Sequence, residues 1–164
     1  MMKLTEELST RGDVSISLKY EDGRHIPFFE KKNLIVNGAK LILRNSIYIS
    51  SSTNYIATLK VGKGGTIDPQ GLVPKIEDAT QTGLITPLTV PVSVPVTSIP
   101  GAGAPSDFSV TFLADVDNSQ GNGELITEVG LFTTSGSLFS IKNHPAITKT
   151  SAFSIHYEWK IRVL

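Results

Sequence analysis

The chain has 164 residues, with 15 Lys+Arg against 15 Asp+Glu and no cysteine. Charge neutrality argues against nucleic acid as the main partner, because affinity for phosphates comes from surplus Lys and Arg. With 40% hydrophobic residues the composition excludes disorder, and the missing cysteines exclude disulfide frameworks, thiolate metal sites and a thiol nucleophile.

In chain order, residues 1–12 read as an N-terminal arm and residues 13–164 as a single β domain. The start carries no apolar stretch of secretory length, and no run approaches the 18 apolar residues of a membrane span, so no membrane partner is expected. Val14, Ile16, Leu18 and Tyr20 alternate with polar residues and lead into Asp22-Gly23, a pair suited to a hairpin turn. The adjacent Phe28 and Phe29 point to opposite faces if extended. Burial of both is the default, with one of them a candidate exposed interface anchor. Asn37 is a candidate N-cap for a short helix over residues 37–45. Strands are expected over 55–62, 107–116, 125–132 and 137–142, with a hairpin at Gly136 and long loops over 63–87 and 99–106.

The run Leu88, Val90, Val92, Val94, Val96 also alternates, and Pro91 and Pro95 interrupt it at one parity. Proline gives no N–H to a ladder, so this strand is expected at a sheet edge, its two prolines facing away from the neighbouring strand. Such an edge resists extension by another chain; Pro91 and Pro95 are also candidate interface positions. The C-terminus alternates most clearly, with Phe153, Ile155, Tyr157, Trp159, Ile161 and Val163 on one face. The sum is a mainly β fold: a two-sheet antiparallel sandwich or flattened barrel of seven or eight strands with one short helix.

Chemistry is sparse in this pattern. His25, His144 and His156 lack zinc spacing, and no Gly-x-Ser-x-Gly elbow occurs. The Gly-Lys pair in Val61-Gly62-Lys63-Gly64-Gly65 lacks the P-loop spacing and reads as a turn. The segment Asp117–Glu124 offers oxygen side chains for calcium but misses the Gly and Glu positions of an EF-hand, so a polar hairpin loop is favoured. Glu128 stands inside the apolar run 125–132, where parity groups it with Ile126, Gly130 and Phe132. A carboxylate on such a face needs a charged or backbone partner, and a structural role is favoured over catalysis. No enzyme, cofactor or metal is expected.

The stretch Ile126-Thr127-Glu128-Val129-Gly130-Leu131-Phe132, the turn at Gly136, Leu138-Phe139, Asn143-His144-Pro145 and Lys149 resemble a pattern of tailed-phage tail-fibre and tail-collar attachment domains. Upstream, Val61-Gly62-Lys63-Gly64-Gly65, Pro69, Thr82-Gly83-Leu84 and Asn33-Leu34-Ile35-Val36-Asn37-Gly38 are similar to further pieces of it, in the same order. The likeness covers roughly residues 33–164 and departs where the chain ends after its last strand, without a shaft. It implies a virion structural protein of the tail, baseplate or neck, assembled in the host cytoplasm. Its partners would be other virion subunits and further copies of itself, and Glu128, Gly130, Asn143, Pro145 and Lys149 would be structural motif residues. Two alternatives stand beside it: a capsid decoration protein on the head shell, and a carbohydrate-binding module using an exposed Tyr48 or Tyr55. The 7% aromatic content weakens the second.

Overall fold

A computed structural model describes residues 10–48, 54–101 and 108–163. Nine strands and one helix follow one another as β1 (Thr10–Tyr20), β2 (His25–Ile35), α1 (Asn37–Tyr48), β3 (Ile56–Gly62), β4 (Pro87–Pro95), β5 (Thr97–Pro100), β6 (Ser109–Val116), β7 (Leu125–Thr133), β8 (Leu138–Thr148) and β9 (Phe153–Val163). All pairings are antiparallel, in the order β4-β3-β7-β8-β2-β1-β9-β6-β5. Only Val96 separates β4 from β5, the two ends of that order, so the sheet bends round into a nearly closed, flattened barrel. The mainly β expectation holds, with nine strands in place of seven or eight.

Alternation in β9 buries Phe153, Ile155, Tyr157, Trp159 and Ile161 against Val14, Ile16, Val116, Val129 and Leu131. Burial pushes the Tyr157 hydroxyl pKa upward. Asn37 begins α1, which runs about three turns rather than two and packs Ala39, Ile42 and Leu43 on the core while Leu41 stays exposed.

Several expectations change. The arm expected to Gly12 is strand from Thr10 onward, where Thr10, Arg11 and Gly12 pair with Val163, Arg162 and Ile161; residues 1–9 lie outside the described part. The loop expected over 99–106 begins later, because Ile99 and Pro100 belong to β5; residues 102–107 are not described. β2 has no clear alternation to announce it. Its residues from His25 to Lys32 are mostly exposed, and only Leu34 and Ile35 pair with β8.

β4 is the terminal strand of the sheet, as its prolines imply. Val96 N–H donates to the Ala57 carbonyl, so even-numbered residues turn their N–H groups toward β3, and Pro91 and Pro95 face away. The alternation breaks at one place. The register jumps from Val61↔Val92 to Gly62↔Pro87, and Val90 is left 75% exposed where the pattern put it in the core. A bulge costs a strand its period of two.

Between β3 and β4, residues 63–86 form no named helix or strand, only an isolated bridge from Thr66 to Pro74. This segment lies over the outer face of β7 and β8. That covering explains why Ile126 to Thr133 are buried without interruption, although a sheet with one wet face would alternate.

A candidate docking site: the loop seated on Glu128

The register between β7 and β8 slips between Ile126 and Glu128. The bulge shifts parity, so Ile126 joins Val129 and Leu131 in the main core, while Phe132 packs beneath the loop with Leu138, Ile141 and Val36. The expected grouping of Ile126 with Glu128, Gly130 and Phe132 therefore fails at its first member. Glu128 turns outward from the barrel and is covered completely.

Its carboxylate is satisfied by backbone. Oε1 accepts the N–H groups of Gly64 at 3.0 Å and Thr86 at 2.8 Å, and Oε2 accepts that of Ile85 at 2.8 Å. Both ends of the loop are thereby tied to one side chain. The glycines let them approach: a Cβ on Gly62 would stand 2.6 Å from Glu128 Oε1 and from the Thr86 carbonyl oxygen. The glycine-rich turn thus wraps the protein's own anion. Next to it, Gly65 N–H donates to Thr127 Oγ1 at 2.9 Å, and the Lys75 ammonium donates to the Gly64 carbonyl at 2.8 Å.

Asn143 holds the middle of the loop. Its Nδ2 donates to the Lys75 carbonyl at 3.1 Å, and its backbone N–H donates to Glu77 Oε1 at 2.9 Å. Glu77 also pairs with Lys142 at 2.7 Å, both side chains 14% exposed. Asp68 shapes the tip by accepting from the N–H groups of Leu72 at 2.8 Å and Val73 at 2.6 Å, which lowers its pKa. Among the residues this scaffold presents to solvent are five large aliphatic ones: Ile67 is 71% exposed, Leu72 71%, Val73 51%, Ile76 94% and Ile85 41%, beside polar residues such as Gln70, Asp78 and Thr80.

The other motif residues fall close by, in supporting places. At Gly130 a Cβ would meet Leu138 Cδ1 at 2.9 Å, so the position admits Leu138 above the strand. Pro145 is half-buried, in the irregular stretch of β8 between Asn143 and Ile147, and its carbonyl accepts from His144 Nδ1 at 2.8 Å. Lys149 is fully buried. Its ammonium donates to Asn122 Oδ1 at 3.1 Å, in the loop weighed for calcium, and to the Thr150 carbonyl at 2.7 Å, in its own turn. Desolvation lowers its pKa, against the attraction of Asp117. Changing Lys149→Met is expected to cost about 2 kcal/mol, the worth of hydrogen bonds from a charged donor. Urea titration reads the loss, and faster amide exchange confined to residues 117–124 locates it.

Phe28 and Phe29 do not share one fate. Phe28 is 36% exposed and Phe29 is half-buried, so the default of burial for both is corrected and Phe28 is the exposed member. Both rings flank His144, with centroids 6.4 and 6.1 Å away. Because the Pro145 carbonyl can only accept, Nδ1 carries the proton, and the buried Nε2 finds no partner. Desolvation holds the His144 pKa down at about 4. Since the unfolded chain takes up this proton near pH 6.5, stability falls as pH drops below that value. Between pH 7.5 and 5 the expected loss is about 2 kcal/mol, a window in which the low-pKa carboxylates stay ionised. Chemical denaturation of the wild type and His144→Phe at both pH values tests this: the slope belongs to His144 only if the variant flattens it.

The outer face of β1, β2, β6 and β9 gathers a second polar group. Ser17 Oγ lies 2.8 Å from His25 Nε2, while Asp115 Oδ1 lies 2.9 Å from His156 Nδ1. The carboxylate thus orients a different imidazole from the one touching the serine, and the relay needed to activate a hydroxyl is broken.

No family model, curated protein or solved structure matches the chain. The geometry therefore carries the functional argument. Sequence reasoning singled out Glu128, Gly130, Asn143, Pro145 and Lys149; all lie on β7, β8 or the turn after β8, and the first and third hold the loop. It missed Thr127, Glu77 and the exposed aliphatic residues of the loop. The last had a legible signal, since Ile67, Leu72, Val73 and Ile76 are large apolar residues in a segment with no strand or helix period. Pro91 and Pro95 lie on β4, the terminal strand of the sheet.

Proposed function

We propose that the chain is a structural component of a tailed-phage virion, in the tail, baseplate or neck, and that it works by assembly rather than turnover. The observation carrying this reading is the loop on Glu128. A long loop is ordinarily polar and mobile, whereas this one is pinned by hydrogen bonds to a buried carboxylate and displays five large aliphatic side chains. Rigid apolar presentation suits a part that is bound in place, because a pre-ordered surface loses little entropy on docking. Two of the residues resembling the attachment-domain pattern, Glu128 and Asn143, also hold the loop, which links the phage reading to this surface.

The test is to purify virions from the source phage and probe them with antiserum against the recombinant protein, followed by immunogold microscopy. Label on tails, baseplates or necks is expected. Label on head shells alone supports the decoration alternative, and particles free of the protein overturn both. A glycan array carries the third alternative: a signal lost on Tyr55→Ala would replace assembly with sugar binding. Tyr55 is 66% exposed; the Tyr48 side chain lies outside the described part.

A further inference from the structure

The polar group on the outer face brings together two of the three histidines, from strands that are not neighbours. His25 on β2 and His156 on β9 lean over β1 from either side, and their ring centres stand 6.0 Å apart. No spacing along the chain announces this pair, because the strand order β2-β1-β9 creates it above Ser17. Each ring has one nitrogen held. Asp115 Oδ1 lies 2.9 Å from His156 Nδ1, and Ser17 Oγ lies 2.8 Å from His25 Nε2. A carboxylate only accepts, so His156 Nδ1 carries its proton and Nε2 keeps the lone pair. The Ser17 hydroxyl can accept from His25 Nε2 in the same way, which leaves the lone pair on Nδ1.

We infer that His25 Nδ1 and His156 Nε2 together bind one divalent transition-metal ion such as zinc, with solvent in the remaining positions. Two imidazoles sharing an ion at about 2.1 Å have ring centres at most about 6.5 Å apart, and about 5.3 Å apart at the tetrahedral angle. The observed 6.0 Å falls between those limits. The surroundings fit the same group. A ligating histidine ordinarily gives its other N–H to an acceptor, and both rings have that partner in place. Imidazole suits zinc, nickel or copper, whereas calcium and magnesium take oxygen ligands. Among the described residues no group of three or more His, Cys, Asp or Glu could hold a metal, so a two-histidine site is open and its ion exchangeable. Lys19 opposes the ion, its ammonium lying 3.2 Å from Asp115 Oδ1 and 3.0 Å from His156 Nδ1. That side chain is 39% exposed and can swing into solvent. An ion there would tie β2 to β9. β2 pairs with β8 only at Leu34 and Ile35, so its His25 end has ladder partners on β1 alone.

Zinc chloride titrated into chelator-treated protein tests this, read by calorimetry and by NMR of the histidine rings. Ring proton–nitrogen correlations should move at His156 Nε2 and His25 Nδ1 and stay fixed for His144, which is fully buried. His25→Ala and His156→Ala should each weaken binding about tenfold or more, the loss of one of two ligands, with zinc-free melting unchanged. Lys19→Met should tighten it severalfold by removing a like charge. An anion site built on the same basic groups would loosen instead, and that result overturns the inference. Zinc should also slow amide exchange at the His25 end of β2, and calcium at equal concentration should do neither. Absence of a shift at both rings in millimolar zinc overturns the inference. So does binding that survives the loss of either histidine, the mark of a lone surface imidazole. The site shares no residue with the loop seated on Glu128, so its failure leaves the proposed function standing, and the reverse.

Discussion

Replacing Glu128 by Ala is expected to lower the folding free energy by about 4 kcal/mol and Tm by roughly 10 °C. Three N–H groups, from Gly64, Ile85 and Thr86, lose a charged acceptor in one step. Hydrogen bonds to an ionised group contribute roughly 1.5–3 kcal/mol each, and relief of the buried charge offsets part of the sum. Urea denaturation measures the total. Glu128→Gln refines it: the amide keeps one acceptor oxygen and turns its NH2 toward a backbone donor, for an expected loss of about 2 kcal/mol. Trypsin offers a local readout, because Lys63 and Lys75 lie in the segment that Glu128 holds. A loss below about 1 kcal/mol for the Ala variant would mean the loop is seated by something else.

Gly65→Ala is the second large effect, expected near 3 kcal/mol, the upper range for forcing a methyl into a packed site. A Cβ at this position would overlap the Thr127 carbonyl oxygen and stand 2.9 Å from Asn143 Oδ1. The obstacle is mostly backbone of a central strand, which cannot swing aside as a flexible side chain would. The loop must lift, losing the Gly65 N–H bond to Thr127 Oγ1 and the bond from Lys75 N–H to the Gly65 carbonyl. Both substitutions release the same loop. The double variant should therefore cost less than the sum of the singles by 0.5 kcal/mol or more, in a range of roughly 0.5–3 for coupled sites. Strict additivity in a double-mutant cycle would show that they act on separate units.

The strands with a clean period of two could be read in the sequence, because an alternating pattern has one physical solution at a half-buried surface. β9 and β6 are such cases, and Trp159 lies where its parity puts it. Glu128 stood out as the one charge in an apolar run, and the need for a partner followed from its desolvation. Its partners did not follow. They are backbone N–H groups, which every residue except proline carries, so composition gives no sign of them. Bulges account for the remaining differences: the slip beside Thr127 parts Ile126 from the face of Glu128, and the jump beside Gly62 leaves Val90 exposed between the buried Leu88 and Val92. β2 escaped notice for the opposite reason, being exposed along both faces for most of its length.

The ladder between β1 and β9 runs from Thr10↔Val163 to Tyr20↔Phe153, eleven pairs that join the two ends of the described chain. During synthesis the first strand leaves the ribosome long before its partner exists. Pairings of such wide sequence separation give a high contact order, and loop closure must be met before any contact offsets it. The nascent chain is therefore expected to remain protease-sensitive until the last strand emerges, then to fold in one slow, cooperative step. Removing β9 should abolish the fold rather than trim it, since Trp159 and Tyr157 leave the core together.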